Sequence, residues 1–121
     1  MTRRVALAIA LVAMALPVTA RAHAVLVKSS PARRAVLALP PSRVELTFNE
    51  RLEPAYSTVS VSTNESARVD DGKVMVAADD PRRLSVGLPP LTPGTYAVKF
   101  RVLSVDGHLV EGTFPFEIRP R

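Results

Sequence analysis

The sequence predicts an all-β, immunoglobulin-like (Greek-key) sandwich of about seven strands, preceded by a cleaved N-terminal signal peptide. Three observations predict this fold. Polar and apolar residues alternate along short segments, turns rich in proline and glycine separate those segments at intervals of about 8–15 residues, and helix signals are nearly absent. The length of 121 residues allows a single domain.

The first 22 residues have the organisation of a secretory signal peptide. Arg3 and Arg4 supply positive charge, residues 5–18 carry no charge, and residues 20–22 form a small-x-small triplet. This apolar run is shorter than the about 20 residues of a membrane span, so cleavage after Ala22 is favoured over an uncleaved anchor. The mature domain would then be residues 23–121 of an exported protein.

Six segments of the mature domain alternate with period two, the pattern of strands with one buried face. They are residues 43–49, 58–62, 73–76, 83–88, 95–102 and 113–118. The last contains Pro115, which confines that strand to a sheet edge or to a position without a ladder hydrogen bond. The core-facing residues predicted for the first and fifth segments are Val44, Leu46, Phe48, Tyr96, Val98, Phe100 and Val102.

Composition excludes several kinds of partner and chemistry. The chain has no cysteine, so neither disulfides nor metal-thiolate bonds are available to it. Loss of the signal peptide removes three arginines and no acid, which lowers the net charge from +5 to +2. The remaining basic residues are scattered and lack interleaved aromatic residues, so we expect no nucleic-acid partner.

The chain has two histidines, and the first, His23, would become the mature N-terminus. A free N-terminal histidine offers its α-amine and its ring Nδ1, which together close a chelate ring on one metal ion. Amine and imidazole nitrogens suit Cu(II), which prefers tetragonal geometry and stands at the top of the divalent affinity order. A histidine that merely follows the cleavage site is the alternative interpretation.

The second histidine, His108, follows Asp106 and Gly107 between two alternating segments. Asp-Gly at such a place is a strong hairpin signal, which alone would predict a tight turn followed by an exposed histidine. However, the i, i+2 spacing of Asp106 and His108 can direct a carboxylate and an imidazole to one side of the chain. With His23, these residues supply one amine, two imidazoles and one carboxylate, a natural ligand set for Cu(II).

The mature domain resembles the CopC family of periplasmic copper-resistance proteins. Residues 23–32 are similar to the family's H-x-x-L-x-x-S-x-P-A opening, and residues 46–50 to its L-x-F-x-E segment. Residues 91–98, 101–108 and 112–116 resemble its closing half, which includes the D-G-H sequence. The resemblance covers nearly all of the mature domain, in order and with matching spacing.

The resemblance implies a non-catalytic periplasmic protein that captures or delivers Cu(II), one ion per chain, in copper resistance and homeostasis. The implied ligands are His23 through its amine and ring, Asp106 and His108. Glu50 matches an acid that lies close to the site in some members, where it would be a weak or outer-sphere partner, although a strand-end acid without such a role fits equally well. The implied partner is a CopD-like copper transporter of the inner membrane, and we expect a monomer.

One feature departs from the family. Some members carry a methionine-rich segment with a histidine that forms a second site, for Cu(I). In the corresponding residues 62–80 the only methionine is Met75, and there is no histidine. Thioether ligands select Cu(I), so we expect the second site to be missing and Met75 to be an ordinary core or strand residue.

Two other functions are consistent with parts of this pattern. A histidine-brace copper mono-oxygenase also uses an N-terminal histidine on a sandwich fold, but this domain has no tryptophan and only two tyrosines. A carboxylate ligand would also occupy the position that oxygen needs. A metal-free, immunoglobulin-like domain for adhesion or assembly would require His23 and the D-G-H sequence to be coincidences.

Overall fold

The computed structural model describes residues 24–121, so the predicted signal peptide and His23 lie outside the described residues. The described part of the chain forms eight strands and one short 3₁₀ turn at Pro54–Tyr56. The strands are β1 (Leu26–Ser30), β2 (Val36–Leu37), β3 (Arg43–Phe48), β4 (Thr58–Thr63), β5 (Met75–Val76), β6 (Arg83–Gly87), β7 (Gly94–Leu103) and β8 (Leu109–Ile118).

The strands form two four-stranded sheets, with the orders β1-β3-β6-β5 and β2-β8-β7-β4. Among consecutive strands only β5–β6 and β7–β8 pair with each other, while every other connection crosses between the sheets. All pairings are antiparallel except that of β2 with β8. The predicted all-β, immunoglobulin-like sandwich is therefore confirmed.

The core lies between the two sheets and is built from the residues that the alternation predicts. Rings from opposite sheets meet there, since Phe48 of β3 and Phe100 of β7 make an edge-on contact with centroids 5.5 Å apart. Burial of this apolar surface is the main stabilising contribution in a domain without disulfides. All seven predicted core residues are at most 4% exposed: Val44, Leu46, Phe48, Tyr96, Val98, Phe100 and Val102.

Pro115 lies within β8, a central strand, at a position where no ladder bond is lost. Its carbonyl accepts a hydrogen bond from the Arg34 amide at 2.7 Å, on the side of the sheet that faces β2. The amide nitrogen and carbonyl of one residue point to the same side of a strand. The proline nitrogen therefore faces β2 rather than β7, and the two-residue β2 begins only opposite Glu117. Of the two placements that the sequence allows, a sheet edge or a position without a ladder hydrogen bond, Pro115 has the second.

Three short or irregular strands differ from the predicted pattern. β1 and β2 lie outside the predicted segments, because β1 contains a bulge between Leu26 and Lys28 and β2 has only two residues. β5 is half as long as predicted. Met75 is expected from the sequence to be a core or strand residue. It lies in strand β5, but it is 58% exposed and is not a core residue.

The end of β3 and the β7–β8 hairpin meet at one end of the sandwich. Leu52 forms an isolated bridge with Ser104, and the Val105 amide donates a hydrogen bond to the Arg51 carbonyl at 3.0 Å. These contacts hold the segment after β3 against the hairpin loop. Within residues 24–121, no helix is long and apolar enough to cross a membrane.

Candidate metal centre

The loop between β7 and β8 comprises residues 104–108 and is closed by two backbone hydrogen bonds. The Ser104 amide donates to the His108 carbonyl at 2.9 Å, and the Gly107 amide donates to the Ser104 carbonyl at 2.9 Å. Gly107 has φ of 91°, a conformation that is costly for residues with a Cβ. The Asp-Gly signal thus produces the predicted turn, and the turn brings Asp106 and His108 to one side of the loop.

Ser104 organises this loop from within. It is 1% exposed, and its hydroxyl donates a hydrogen bond to the Asp106 carboxylate and accepts one from the His108 amide at 3.1 Å. The other carboxylate oxygen of Asp106 lies 3.0 Å from Nδ1 of His108. The carboxylate is thus fixed between a hydroxyl and an imidazole.

The pKa of Asp106 lies below its usual value, first because the Ser104 hydroxyl donates a hydrogen bond to the carboxylate. The contact with His108 lowers this pKa further, whereas desolvation acts in the opposite direction. A hydrogen bond to the charged form favours that form. Asp106 therefore remains an anion into the acid range and is available as an oxygen ligand at any pH where imidazole is neutral.

Glu50 reaches the same region from the end of β3. That strand ends at Phe48, and the chain bends at residues 49–50. The Oε2 atom of Glu50 is buried and has no hydrogen-bond partner in the described part of the chain. A buried carboxylate oxygen without a donor is costly, which favours a cation or a further donor at this position.

Glu50, Asp106 and His108 form a cluster in which one ligand atom of each residue lies within 4.8 Å of the others. Two carboxylates and one imidazole are oxygen and nitrogen donors of the kind that bind divalent transition metals. Glu50 and His108 are half-buried and Asp106 is exposed, so an ion could enter from solvent. The structure brings together three of the four residues that the sequence singles out.

The fourth residue, His23, lies outside the described residues, but the chain that follows it is attached to the end of β3. Ala24 is 2% exposed. Next to it, the Val25 amide donates to Oδ1 of Asn49 at 2.7 Å, and the Asn49 amide donates to the Val25 carbonyl at 3.1 Å. The described chain thus begins in pairing contact with the residue that precedes Glu50.

Two residues of this region, Ser104 and Asn49, are absent from the sequence predictions. Ser104 had a usable signal, because it is the next residue after Val102 in the period-two series of core-facing positions on β7. A serine at a buried position must find hydrogen-bond partners, and the nearest polar groups are those of the D-G-H sequence. Asn49 had no such signal, since its partner is 24 residues away in sequence.

The model of the CopC domain family matches residues 26–119. The chain belongs to the CopC family. Among its relatives, the copper resistance protein C of Xanthomonas campestris pv. juglandis is 31% identical over 124 residues, with 97% of each chain covered. The crystal structure of CopC from Methylosinus trichosporium OB3b superimposes with a TM-score of 0.76 at 42% identity, covering 82% of this chain and 96% of that one.

A longer relative is the copper transport protein CutJ of Bacillus subtilis, which is 36% identical over 104 residues. The match covers 85% of this chain but only 19% of CutJ, so the chain spans about a fifth of that protein's length. The CopC family consists of copper-binding, non-enzymatic proteins of copper resistance and transport. Membership therefore confirms the predicted resemblance and argues against both a mono-oxygenase and a metal-free adhesion domain.

Proposed function

We propose that this CopC-family protein captures and delivers Cu(II) in the periplasm, one ion per chain, after cleavage between Ala22 and His23. The ligands are the α-amine and ring of His23, the carboxylate of Asp106 and the imidazole of His108. The single observation that carries this proposal is the cluster of Glu50, Asp106 and His108 within 4.8 Å, beside the start of the described chain.

The anchoring of Ala24 and Val25 supports a role for His23. In the antiparallel pairing of β1 with β3, Leu26 is opposite Phe48, and Val25 exchanges hydrogen bonds with Asn49. The described chain therefore begins against Asn49, the residue that precedes Glu50. His23 immediately precedes Ala24 in the sequence, and consecutive Cα atoms are about 3.8 Å apart, which supports its assignment as a ligand.

The charge and type of the donors support Cu(II) as the ion. Two imidazoles, one neutral amine and one carboxylate form a nitrogen-rich set that suits tetragonal Cu(II), and Cu(II) binds such sites more strongly than neighbouring divalent metals. Glu50 supplies a second negative charge close by, which we assign to an outer-sphere role. No second site for Cu(I) is proposed, because Met75 is the only methionine of residues 23–121 and lies exposed on β5.

The length of CutJ supports the proposed partner. In that copper transport protein, the part similar to this chain makes up only 19% of the length, so a CopC-like domain there works in one chain with a much larger remainder. We propose that the present protein, as a monomer, delivers copper to a separate CopD-like transporter of the inner membrane.

A Cu(II) titration of correctly processed protein tests the proposal. We expect one ion per chain and the EPR spectrum of a type-2 tetragonal centre with nitrogen and oxygen donors, because the chain offers no thiolate. The measurement combines EPR with an optical scan, on protein whose N-terminus is verified by mass spectrometry. A strong sulfur charge-transfer band, or a stoichiometry near two, would contradict the proposed site.

The affinity for Cu(II) should fall steeply below about pH 6. Histidine side chains ordinarily titrate near pH 6.5 and α-amines near 7.7–8.0, and both must lose protons to coordinate, although strong binding moves that loss to lower pH. Asp106 does not set this threshold, because its pKa is lowered and its carboxylate stays ionised while the nitrogens are protonated. Chelator competition between pH 4 and pH 8 should show more than one proton taken up per copper released. A flat affinity profile down to the carboxylate range would mean that nitrogens are not the donors.

A further inference from the structure

The segment that leads into β1 is paired with Asn49 through two hydrogen bonds of different kinds. In one, the backbone amide of Asn49 donates to the Val25 carbonyl at 3.1 Å, as in an ordinary antiparallel ladder. In the other, the Val25 amide donates to the side-chain Oδ1 of Asn49 at 2.7 Å, where a regular ladder would use a backbone carbonyl. The amide side chain thus continues the sheet by one residue beyond the end of β3.

The use of a side-chain oxygen instead of a backbone carbonyl as acceptor affects the position of Glu50. The backbone of β3 ends at Phe48 and bends at residues 49–50. Because the side chain of Asn49 accepts the Val25 hydrogen bond, the backbone is free to turn towards the β7–β8 loop and carry Glu50 into the cluster. Asn49 therefore has two effects. Its hydrogen bonds keep the segment before β1 on the sheet, and they allow the segment after β3 to turn away from it.

Within the part of the chain that the structure describes, few other contacts hold this segment. β1 is an edge strand with β3 as its one neighbour, and the bulge between Leu26 and Lys28 interrupts its ladder. Upstream of the bulge, Leu26–Phe48 is the one regular pair of the described strands. The Val25 side chain is 52% exposed, so it contributes little packing, and Ala24 buries a single methyl group. Within residues 24–121, the two bonds to Asn49 thus attach the start of the described chain to the sheet.

We propose that Asn49 is a positioning residue for the copper site, which holds the mature N-terminus over Glu50, Asp106 and His108. This inference rests on the proposed function. Its side chain acts through Val25 by reducing the number of positions that the terminal amine and ring can occupy. A preorganised ligand binds more tightly because less conformational freedom is lost on binding.

The test compares Asn49→Leu, which keeps the size of the side chain but removes the acceptor, with Asn49→Asp, which retains an acceptor oxygen. Asn64→Leu is the matched control, since Asn64 lies in the exposed turn after β4. In processed protein we expect Asn49→Leu to weaken Cu(II) binding by about tenfold, the effect of one hydrogen bond. Asn49→Asp should bind at least as tightly as wild type, and Asn64→Leu should bind like wild type.

Two further measurements separate positioning from a general loss of stability. In copper-free protein, hydrogen exchange at the Val25 amide should become faster in Asn49→Leu and stay slow in Asn49→Asp. In protein that retains Ala22 before His23, Asn49→Leu should leave the weak residual binding of Cu(II) unchanged, because no terminal chelate remains to be positioned.

Wild-type affinity in processed Asn49→Leu would overturn the inference, and so would an equal loss in processed and extended protein. If the leucine variant does not fold, Asn49→Asp and Asn49→Ser take its place, and weakened binding in the aspartate variant is then the contrary result. Failure of the proposed function would look different, because wild-type processed protein would itself bind Cu(II) no more tightly than the extended form.

Discussion

His108→Ala should weaken the binding of Cu(II) by more than about 100-fold. Mutation of a residue that only supports a metal ligand typically lowers metal affinity by about 10- to 100-fold, and loss of a ligand itself should cost more. The variant loses an imidazole nitrogen that we assign to the metal. Asp106→Ala should have an effect of similar size, since it removes the carboxylate that offsets the charge of the ion. Competition with a chelator of known strength, on processed protein, measures both.

Both variants should fold, because the side chains of Asp106 and His108 are substantially exposed at a hairpin tip and add little to the core. Thermal unfolding of the copper-free proteins checks this. Two further substitutions provide the controls: Glu50→Ala should have a smaller effect on affinity, and Met75→Leu should have none. Wild-type affinity in His108→Ala would exclude the assigned site, whatever the behaviour of the other variants.

The sequence predicts the fold best where a strand has neighbours on both sides and one face in the core. β3 and β7 meet both conditions, and their alternation identifies every buried residue that was expected of them. The pattern fails for β1, β2 and β5, which are three of the four edge strands, and it holds for the fourth, β4, where Val59 and Val61 are buried as alternation requires. An edge strand can be short or bulged because it pairs on one side alone, so its burial need not follow period two.

The site was predictable to the extent that its residues are close in sequence. Asp106 and His108 follow from local spacing, because a turn of five residues determines how they face each other. The approach of Glu50 to them depends on the packing of β3 against the hairpin, which no local pattern encodes, and it was expected from the resemblance alone. The hydrogen bond between Val25 and Asn49 joins two segments that alternation does not relate, so only the structure shows it.

Protein that retains Ala22 before His23, or that begins with an added methionine, should bind Cu(II) several orders of magnitude more weakly than processed protein. Every side chain is present in these forms, but the α-amine of His23 has become an amide. An amide nitrogen is not basic and would have to lose a proton to coordinate. The new terminal amine belongs to the residue before His23, which is too distant to close the chelate ring that the α-amine of His23 forms with its own Nδ1.

The structure also explains why the chain should not compensate by sliding one residue along the sheet. A slip that brought the new amine to the old position would pull Ala24 out of its buried place and break both hydrogen bonds between Val25 and Asn49. It would also reverse which side chains of β1 face the core, because side chains alternate along a strand. The extended protein should therefore fold like the processed one, with the same thermal unfolding in the absence of copper. Paired titrations, with mass spectrometry of each N-terminus, make the comparison, and equal affinities would leave only a weak surface site around His108.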